Sequence, residues 1–420
     1  MRILVLGAGA REHAIVLALR SEEAQHEIFA APGNAGIARD ATIVDLDPDS
    51  PTAVTSFALA EDIDLVVIGP EAPLVAGVAD AVRERGIPAF GPSRAAARLE
   101  GSKAFAKRIM EAAGVPTGRA LRARTLDEVA AALDDIGAPH VVKADGLAAG
   151  KGVIVTDDRA AALAHAETYL PTGPVLIEEF LAGPEVSLFF LSDGDRVLPL
   201  SPAQDFKRLA DGDAGPNTGG MGAYSPLPWL AERFGSEEAF VDLVTAEVAA
   251  PVIGQLDAEG TPFIGLLYAG LIVTDDGVKV IEFNARFGDP ETQVVLPRLA
   301  EPLSELLLAA ASGRLEGLAR PRFRDAKAVT VVLASEGYPA SPVTGRVIEG
   351  TDAAASVAGV HLAHAATRIE GDGLVATGGR VLNVVAVAPT FAEARDRAYD
   401  AMGRITLEGG QFRTDIAAQA

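Results

Sequence analysis

Short apolar runs recur along the first hundred residues, at 4–9, 28–33, 65–69 and 88–91, and each closes on a small-residue turn. Helical patterns lie between most of them. Strands alternating with helices predict a parallel sheet, and such sheets bind their ligands beyond the carboxyl ends of the strands. The turns Gly7-Ala8-Gly9-Ala10-Arg11-Glu12, Ala31-Pro32-Gly33-Asn34 and Gly69-Pro70-Glu71-Ala72-Pro73 are therefore expected on one rim. A helix over 102–113 ends at Gly114-Val115-Pro116, a stop signal that divides a first domain from a second.

Beyond that point the pattern changes. A strand at 140–143 leads into Ala144-Asp145-Gly146-Leu147-Ala148-Ala149-Gly150-Lys151-Gly152, followed by a strand at 153–155. Further strands at 175–180 and 186–191 complete what reads as a small antiparallel lid. The β-rich runs 263–274 and 278–284, joined by Asp275-Asp276-Gly277, form a hairpin that serves as a floor. Segments 204–208 and 215–222 lie in a long polar stretch without periodicity, and ordered loops of that length are uncommon unless functional. The last hundred residues show strands at 328–333 and 380–387 and a helix near 391–402, with few convergent polar groups, so a packing role is expected there, with one or two residues reaching the site.

A chain of 420 residues exceeds what one core serves, so several packed domains are expected. The formal net charge of −22, with no basic run, argues against nucleic acid as a partner. Cysteine is absent, which removes thiolate metal sites and cysteine nucleophiles. The apolar start at Met1 is too short for a signal or membrane segment, so no membrane association and a cytoplasmic location are expected. Only seven of the 36 basic residues are lysines, and Lys103, Lys143, Lys151 and Lys207 fall inside glycine-rich or polar motifs, as chosen point charges would.

Alternation along the second hairpin strand sends Glu282 and Asn284 one way and Ile281 and Phe283 into the core. A carboxylate and an amide oxygen so spaced suit Mg2+, which needs few protein ligands when phosphates supply the rest. Alone, such a pair is more often just a solvent-facing edge. Its continuation through Arg286, Asp289 and Glu291 gathers charge in a tight turn that no core requires. The Gly146 to Gly152 loop is not a P-loop: too few residues separate Gly146 from Gly150-Lys151, and Gly152 stands where Ser or Thr would bind magnesium. Flanked by strands, it reads as a flap whose amides and Lys151 close over phosphates. Glu12 replaces the third glycine of a dinucleotide fingerprint, so a nicotinamide cofactor is disfavoured, while the helix N-terminus behind Gly9 still suits a phosphosugar. The six histidines show no metal spacing, and His13 is the one expected near the rim.

Read in order, Gly69 to Val75, Leu99 to Phe105, Lys143 to Val153, Gly215 to Pro226 and Arg286-Phe287-Gly288-Asp289-Pro290-Glu291-Thr292-Gln293 resemble the phosphoribosylamine-glycine ligase family, also called glycinamide ribonucleotide synthetases, over essentially the whole chain. The resemblance implies an α/β ATP-grasp fold with an α+β lid, an N-terminal parallel-sheet domain at 1–102, an ATP-grasp domain at 103–318 with its lid at about 119–187, and a C-terminal rudiment-hybrid-like β domain at 319–420. It implies ligation of glycine to 5-phosphoribosylamine with ATP, the second step of de novo purine synthesis, by a monomer in transient contact with the preceding enzyme. The alternatives are another ATP-grasp purine ligase or carboxylase, and an inactive nucleotide-binding paralogue.

By the same resemblance Glu282 and Asn284 hold Mg2+ or Mn2+. ATP meets Lys103, Lys143, Gly150, Lys151, the 178–181 segment (Glu178, Glu179, Phe180, Leu181) and Glu185. Phosphoribosylamine lies against Gly9, Asn34, Glu71, Asn217, Thr218, Gly219, Gly220, Asp289 and Pro290, and Asp205, Lys207 and Arg286 act near glycine. The chain departs from the family at Ala10, usually glycine, at Phe206, often histidine, and at Ala285, often cysteine. Pro171-Thr172-Gly173-Pro174 is also shorter than the usual glycine-containing loop, which implies a shortened lid.

Overall fold

The computed structural model describes residues 1–146 and 152–420. The N-terminal apolar runs form the parallel strands β1 (Arg2–Gly7), β2 (Glu27–Pro32), β3 (Thr42–Ile43), β4 (Leu65–Ile68) and β5 (Ala89–Phe90), in the order β3-β2-β1-β4-β5. These runs are continuously apolar because both sheet faces are covered. Leu4 and Leu6 share a core with Val54 and Val78, whereas Ile3 and Val5 pack with Ile15 and Leu19. At the carboxyl rim the three turns meet as expected: Gly33 N–H donates to Gly7 O at 3.1 Å and Gly69 N–H to Leu6 O at 3.0 Å. The helix Lys103–Ala112 follows, capped by the Ser102 hydroxyl, which accepts from Phe105 N–H.

The lid sheet contains β6 (Ala120–Ala123), β7 (His140–Ala144), β8 (Val153–Thr156) and β9 (Val175–Glu178), ordered β6-β9-β7-β8 around its own core of Val129, Leu133, Val142 and Ile177. The expectation that 186–191 belongs to this lid is corrected. That segment lies in β10 (Glu185–Asp193), which pairs with β16 (Ile264–Thr274) from Glu185↔Ile272 to Asp193↔Ile264. Residues 186–192 are all buried, on both faces, as a central strand of the floor must be. The floor sheet runs β11-β10-β16-β17, with β11 at Val197–Pro199 and β17 at Gly277–Asn284.

The polar stretch expected as a long loop is instead built of four short strands, β12 (Gln204–Asp205), β13 (Arg208–Ala210), β14 (Ala214–Asn217) and β15 (Gly222–Ser225). Cross-strand partners order it where local periodicity is missing: β13 and β14 pair as a ribbon. β12 and β15 extend the sheet β12-β15-β18-β23-β20, whose other strands are β18 (Lys327–Ala334), β20 (Val360–His364) and β23 (Arg380–Ala388). A second antiparallel sheet holds β19 (Val347–Glu349), β21 (Thr367–Glu370), β22 (Gly373–Ala376) and β24 (Thr406–Leu407). The helix Phe391–Met402 buries Ala394, Ala398 and Met402. Among the described residues one helical run, Glu237–Ala258, is long and apolar enough to cross a membrane, and it packs Phe240, Val248, Val252 and Leu256 into the main core.

Candidate active site

The metal-suited pair depends on a break in alternation. β16 and β17 pair regularly from Thr274↔Gly277 to Leu271↔Val280 and resume at Gly270↔Glu282, which leaves Ile281 as a bulge. Val278 and Val280 are buried, so uninterrupted alternation would carry Glu282 and Asn284 to that same core face. The extra residue resets the phase: Phe283 enters the core, and Glu282 and Asn284 stay partly exposed. Ile281, expected in the core, is partly exposed because it is the residue the bulge extrudes. Its carbonyl accepts from Lys143 Nζ at 3.4 Å. Directly across, Gly270 packs close against this residue, since a Cβ there would sit 3.3 Å from Glu282 O.

Four cations converge on this pair. Burial alone would raise the Glu282 carboxyl, yet Lys207, Lys143, Lys103 and Arg286 outweigh it and hold the group below the usual carboxylate range. Neither side chain of the pair has a hydrogen-bond partner among the described residues. Two unengaged oxygen acceptors on one face, inside a cationic ring, fit a hard divalent cation that also binds phosphates. No group of three or more His, Asp or Glu gathers for a metal among the described residues, so phosphates and water would complete the shell.

Each cation has its own support. Lys143 Nζ lies 2.9 Å from Glu178 Oε2, and Lys107 Nζ lies 3.4 Å from the same oxygen. Lys107 also donates to Thr117 Oγ1 at 2.9 Å and Gly118 O at 3.0 Å, which ties the helix to the base of the lid. Lys103 Nζ donates to Gly146 O at 3.1 Å. Lys207 pairs with Glu185. Burial pushes the neighbouring Asp205 carboxyl up to about 7 against the pull of Lys207, with Glu291 and Glu185 adding to the rise. Arg286 sits 2.9 Å from Glu100 Oε1 and 3.6 Å from Glu71 Oε2, and Glu100 in turn accepts from Ala285 N–H at 2.7 Å.

Beside this ring a pocket of about 410 Å³ opens on the rim, lined by Gly9, Asn34 and Asp289 from the expected set and by Thr367, Thr377 and Arg380 from the last hundred residues. The Gly9 amide, expected to face a phosphate, is instead taken by Glu12 Oε2 at 2.6 Å. Glu12 fills the crevice that the missing fingerprint glycine would leave open: a Cβ on Gly69 would meet its Oε1 at 2.2 Å. The Asn34 side chain is also fully engaged. Its amide donates to Ala8 O at 2.8 Å and His364 O at 2.7 Å, and its oxygen accepts from Gly36 and Ile37 N–H at 2.9 Å each. Asn34 thus builds the pocket wall and has no side-chain valence left for a ligand. His13, near the rim as expected, has a structural place, accepting from His364 N–H at 2.8 Å.

Thr218, Gly219 and Gly220 meet the 289–290 turn through Arg380, which donates to Gly219 O and, at 2.8 Å, to Asp289 O. Gly220 has φ +106° and no room for a side chain, since a Cβ would lie 2.4 Å from Pro290 Cδ. Asn217 is exposed at the end of the ribbon opposite Arg208. Glu178 is buried and spends its carboxylate on Lys143 and Lys107, while Glu179 and Phe180 are exposed and Leu181 lies against Gly118. Gly150 and Lys151 lie outside the described residues. The sequence reading passed over Lys107, although it lies four positions after Lys103 on one helix face. It also passed over Arg380, whose one signal was the preceding pair Gly378-Gly379.

Family models of Phosphoribosylglycinamide synthetase match as the N domain at residues 1–100, the ATP-grasp (A) domain at 101–292 and the C domain at 328–419. The chain is 69% identical over its whole length to a phosphoribosylamine-glycine ligase of Leifsonia xyli, covering 100% of that protein, and 58% identical to one of Streptomyces coelicolor, covering 99% of it. A solved phosphoribosylamine-glycine ligase from Thermotoga maritima superposes with a TM-score of 0.82 at 33% identity, covering 99% of this chain and 100% of that one. A biotin carboxylase from Campylobacter jejuni shares the fold alone, at a TM-score of 0.71 and 15% identity over 98% of this chain and 92% of that one. The chain belongs to the phosphoribosylglycinamide synthetase family.

Proposed function

We propose that this chain ligates glycine to 5-phosphoribosylamine with ATP, giving glycinamide ribonucleotide, ADP and phosphate in purine synthesis. The observation that carries the reading is the Glu282/Asn284 pair ringed by Lys103, Lys143, Lys207 and Arg286 and set beside the rim pocket. Glycine's carboxylate oxygen attacks the γ-phosphorus of ATP and ADP leaves. The amine nitrogen then attacks the carbonyl carbon of the glycyl phosphate, phosphate leaves and the nitrogen loses a proton. Neither step needs a protein nucleophile, so positioning and charge neutralisation do the work. Lys103, Lys143 and Lys151 hold the phosphates. Glu178 keeps Lys143 in place, and Glu178 to Leu181 with Glu185 border the nucleoside. Arg286, with Asp205 and Lys207, orients glycine, and Gly9, Glu71, the 217–220 loop, Asp289 and Pro290 surround the ribosylamine.

The ATP-grasp domain implies ATP and a divalent cation. Bound to Glu282 and Asn284, that cation, Mg2+ or Mn2+, would supply further neutralisation of phosphate charge. The reading divides the chain into 1–102, 103–318 and 319–420, which the separate N-terminal, lid and floor sheets support although β12 and β15 join the C-terminal sheet. On this reading the enzyme works in the cytoplasm as a monomer that receives its unstable amine from the preceding enzyme. The test is ADP release on mixing the protein with Mg2+, ATP, glycine and freshly generated phosphoribosylamine; ADP no higher than in a glycine-free control would refute the reading.

A further inference from the structure

Arg380 opens β23 at the junction of the C-terminal sheet with the N-terminal rim, and it is the cationic side chain among the described residues lining the rim pocket. The other charged group there is Asp289, whose Oδ2 lies 3.3 Å from Arg380 Nη2. Arg380 Nη1 spends its hydrogens on Gly219 O and Asp289 O. A guanidinium carries five donors, and the Nε–H and an Nη2 hydrogen here have no hydrogen-bond partner among the described residues. Those two donors form the parallel fork that matches two oxygens of a phosphate. The 219 backbone packs close against the guanidinium, since a Cβ on Gly219 would lie 3.0 Å from Arg380 Cζ and crowd it. With the Gly9 amide capped by Glu12 and the Asn34 side chain saturated, the obvious N-terminal donors are already occupied.

We propose that Arg380, from the C-terminal domain, receives the phosphate of the ribosylamine and makes the enzyme selective for the phosphorylated sugar. The inference rests on the ligase reading above and names the specificity residue within it. Phosphate binding would exchange the long contact with Asp289 Oδ2 for the fork, while the two carbonyl contacts keep the guanidinium in place.

Binding of glycinamide ribonucleotide and of its dephosphorylated riboside to the full-length enzyme, measured by calorimetry, tests the inference. The wild type should prefer the ribonucleotide. Arg380→Gln should weaken ribonucleotide binding on the order of 30-fold while leaving the riboside nearly unchanged, as loss of a charge-assisted contact predicts. Arg380→Lys, which keeps the charge but loses the fork, should fall between. Equal weakening of both ligands would show that Arg380 only pins the 219–220 and 289 backbones, and an unchanged preference would likewise overturn the proposal. Failure of the ligase reading itself shows separately, as unmodified enzyme that releases no glycine-dependent ADP and binds neither compound, and it would overturn this inference too.

Discussion

At the residue scale the site is a set of acids and bases whose ordinary behaviour is displaced by their neighbours. Glu282 is held ionised by four cations without a hydrogen bond among the described residues, which leaves its lone pairs for a metal. Glu282→Ala should therefore lower kcat by about 10²-fold or more while urea unfolding stays cooperative, and retained turnover would refute the ligand assignment. Asp205 is displaced the other way, its carboxyl raised to about 7 chiefly by burial. Because its folded value lies above the unfolded one, the native state binds the extra proton, and stability falls as pH rises from about 4 to 7. Asp205→Asn removes that dependence. Its Tm relative to wild type should be more favourable at pH 8 than at pH 5, measured by scanning calorimetry; a pH-independent difference would contradict the assignment.

At the scale of elements, the same residues work only because a strand and a ribbon are irregular. The Glu282/Asn284 reading was legible in the sequence, but the reason behind it was incomplete: simple alternation from Val280 sends the pair into the core, and the Ile281 bulge sends it to the cleft. A bulge leaves no mark in hydrophobic periodicity, since it is defined by a partner strand far along the chain. The 204–222 stretch has a similar history, with its polarity visible and its strands not. Its loop at 218–220 reaches the 289–290 turn through Gly220, at φ +106°. Gly220→Ala should cost roughly 1–3 kcal/mol in urea unfolding and raise KM for the amine substrate more than KM for ATP. A variant with unaltered KM for the amine would show that this contact does not shape the rim pocket.

At the scale of the whole molecule, one core threads the N-terminal, central and C-terminal regions: Leu4, Leu256 and Val384 belong to a single cluster. The lid has a core of its own, and its links to the body include the Lys107 pair with Glu178, Lys143 Nζ on Ile281 O and the hydroxyl of Ser102 on Asp145. Amides of β6 to β9 should therefore exchange with deuterium faster than those of β1 or β18, and Mg2+ with ADP should slow the lid selectively. Uniform exchange across lid and body would refute a separately opening lid. The parallel N-terminal sheet, the hairpin floor, the helix near 102–113 and the candidate residues of the 282–293 segment were all determined by the sequence, because they follow from local periodicity, turn chemistry and short motifs. What only the tertiary structure decided are features made by distant partners: β10 in the floor and not in the lid, the occupation of Asn34 and Gly9 by their surroundings, and Arg380 at the rim. A strand's sheet and a side chain's spare hydrogen bonds depend on which residues arrive opposite, and here those residues come from up to 330 positions away.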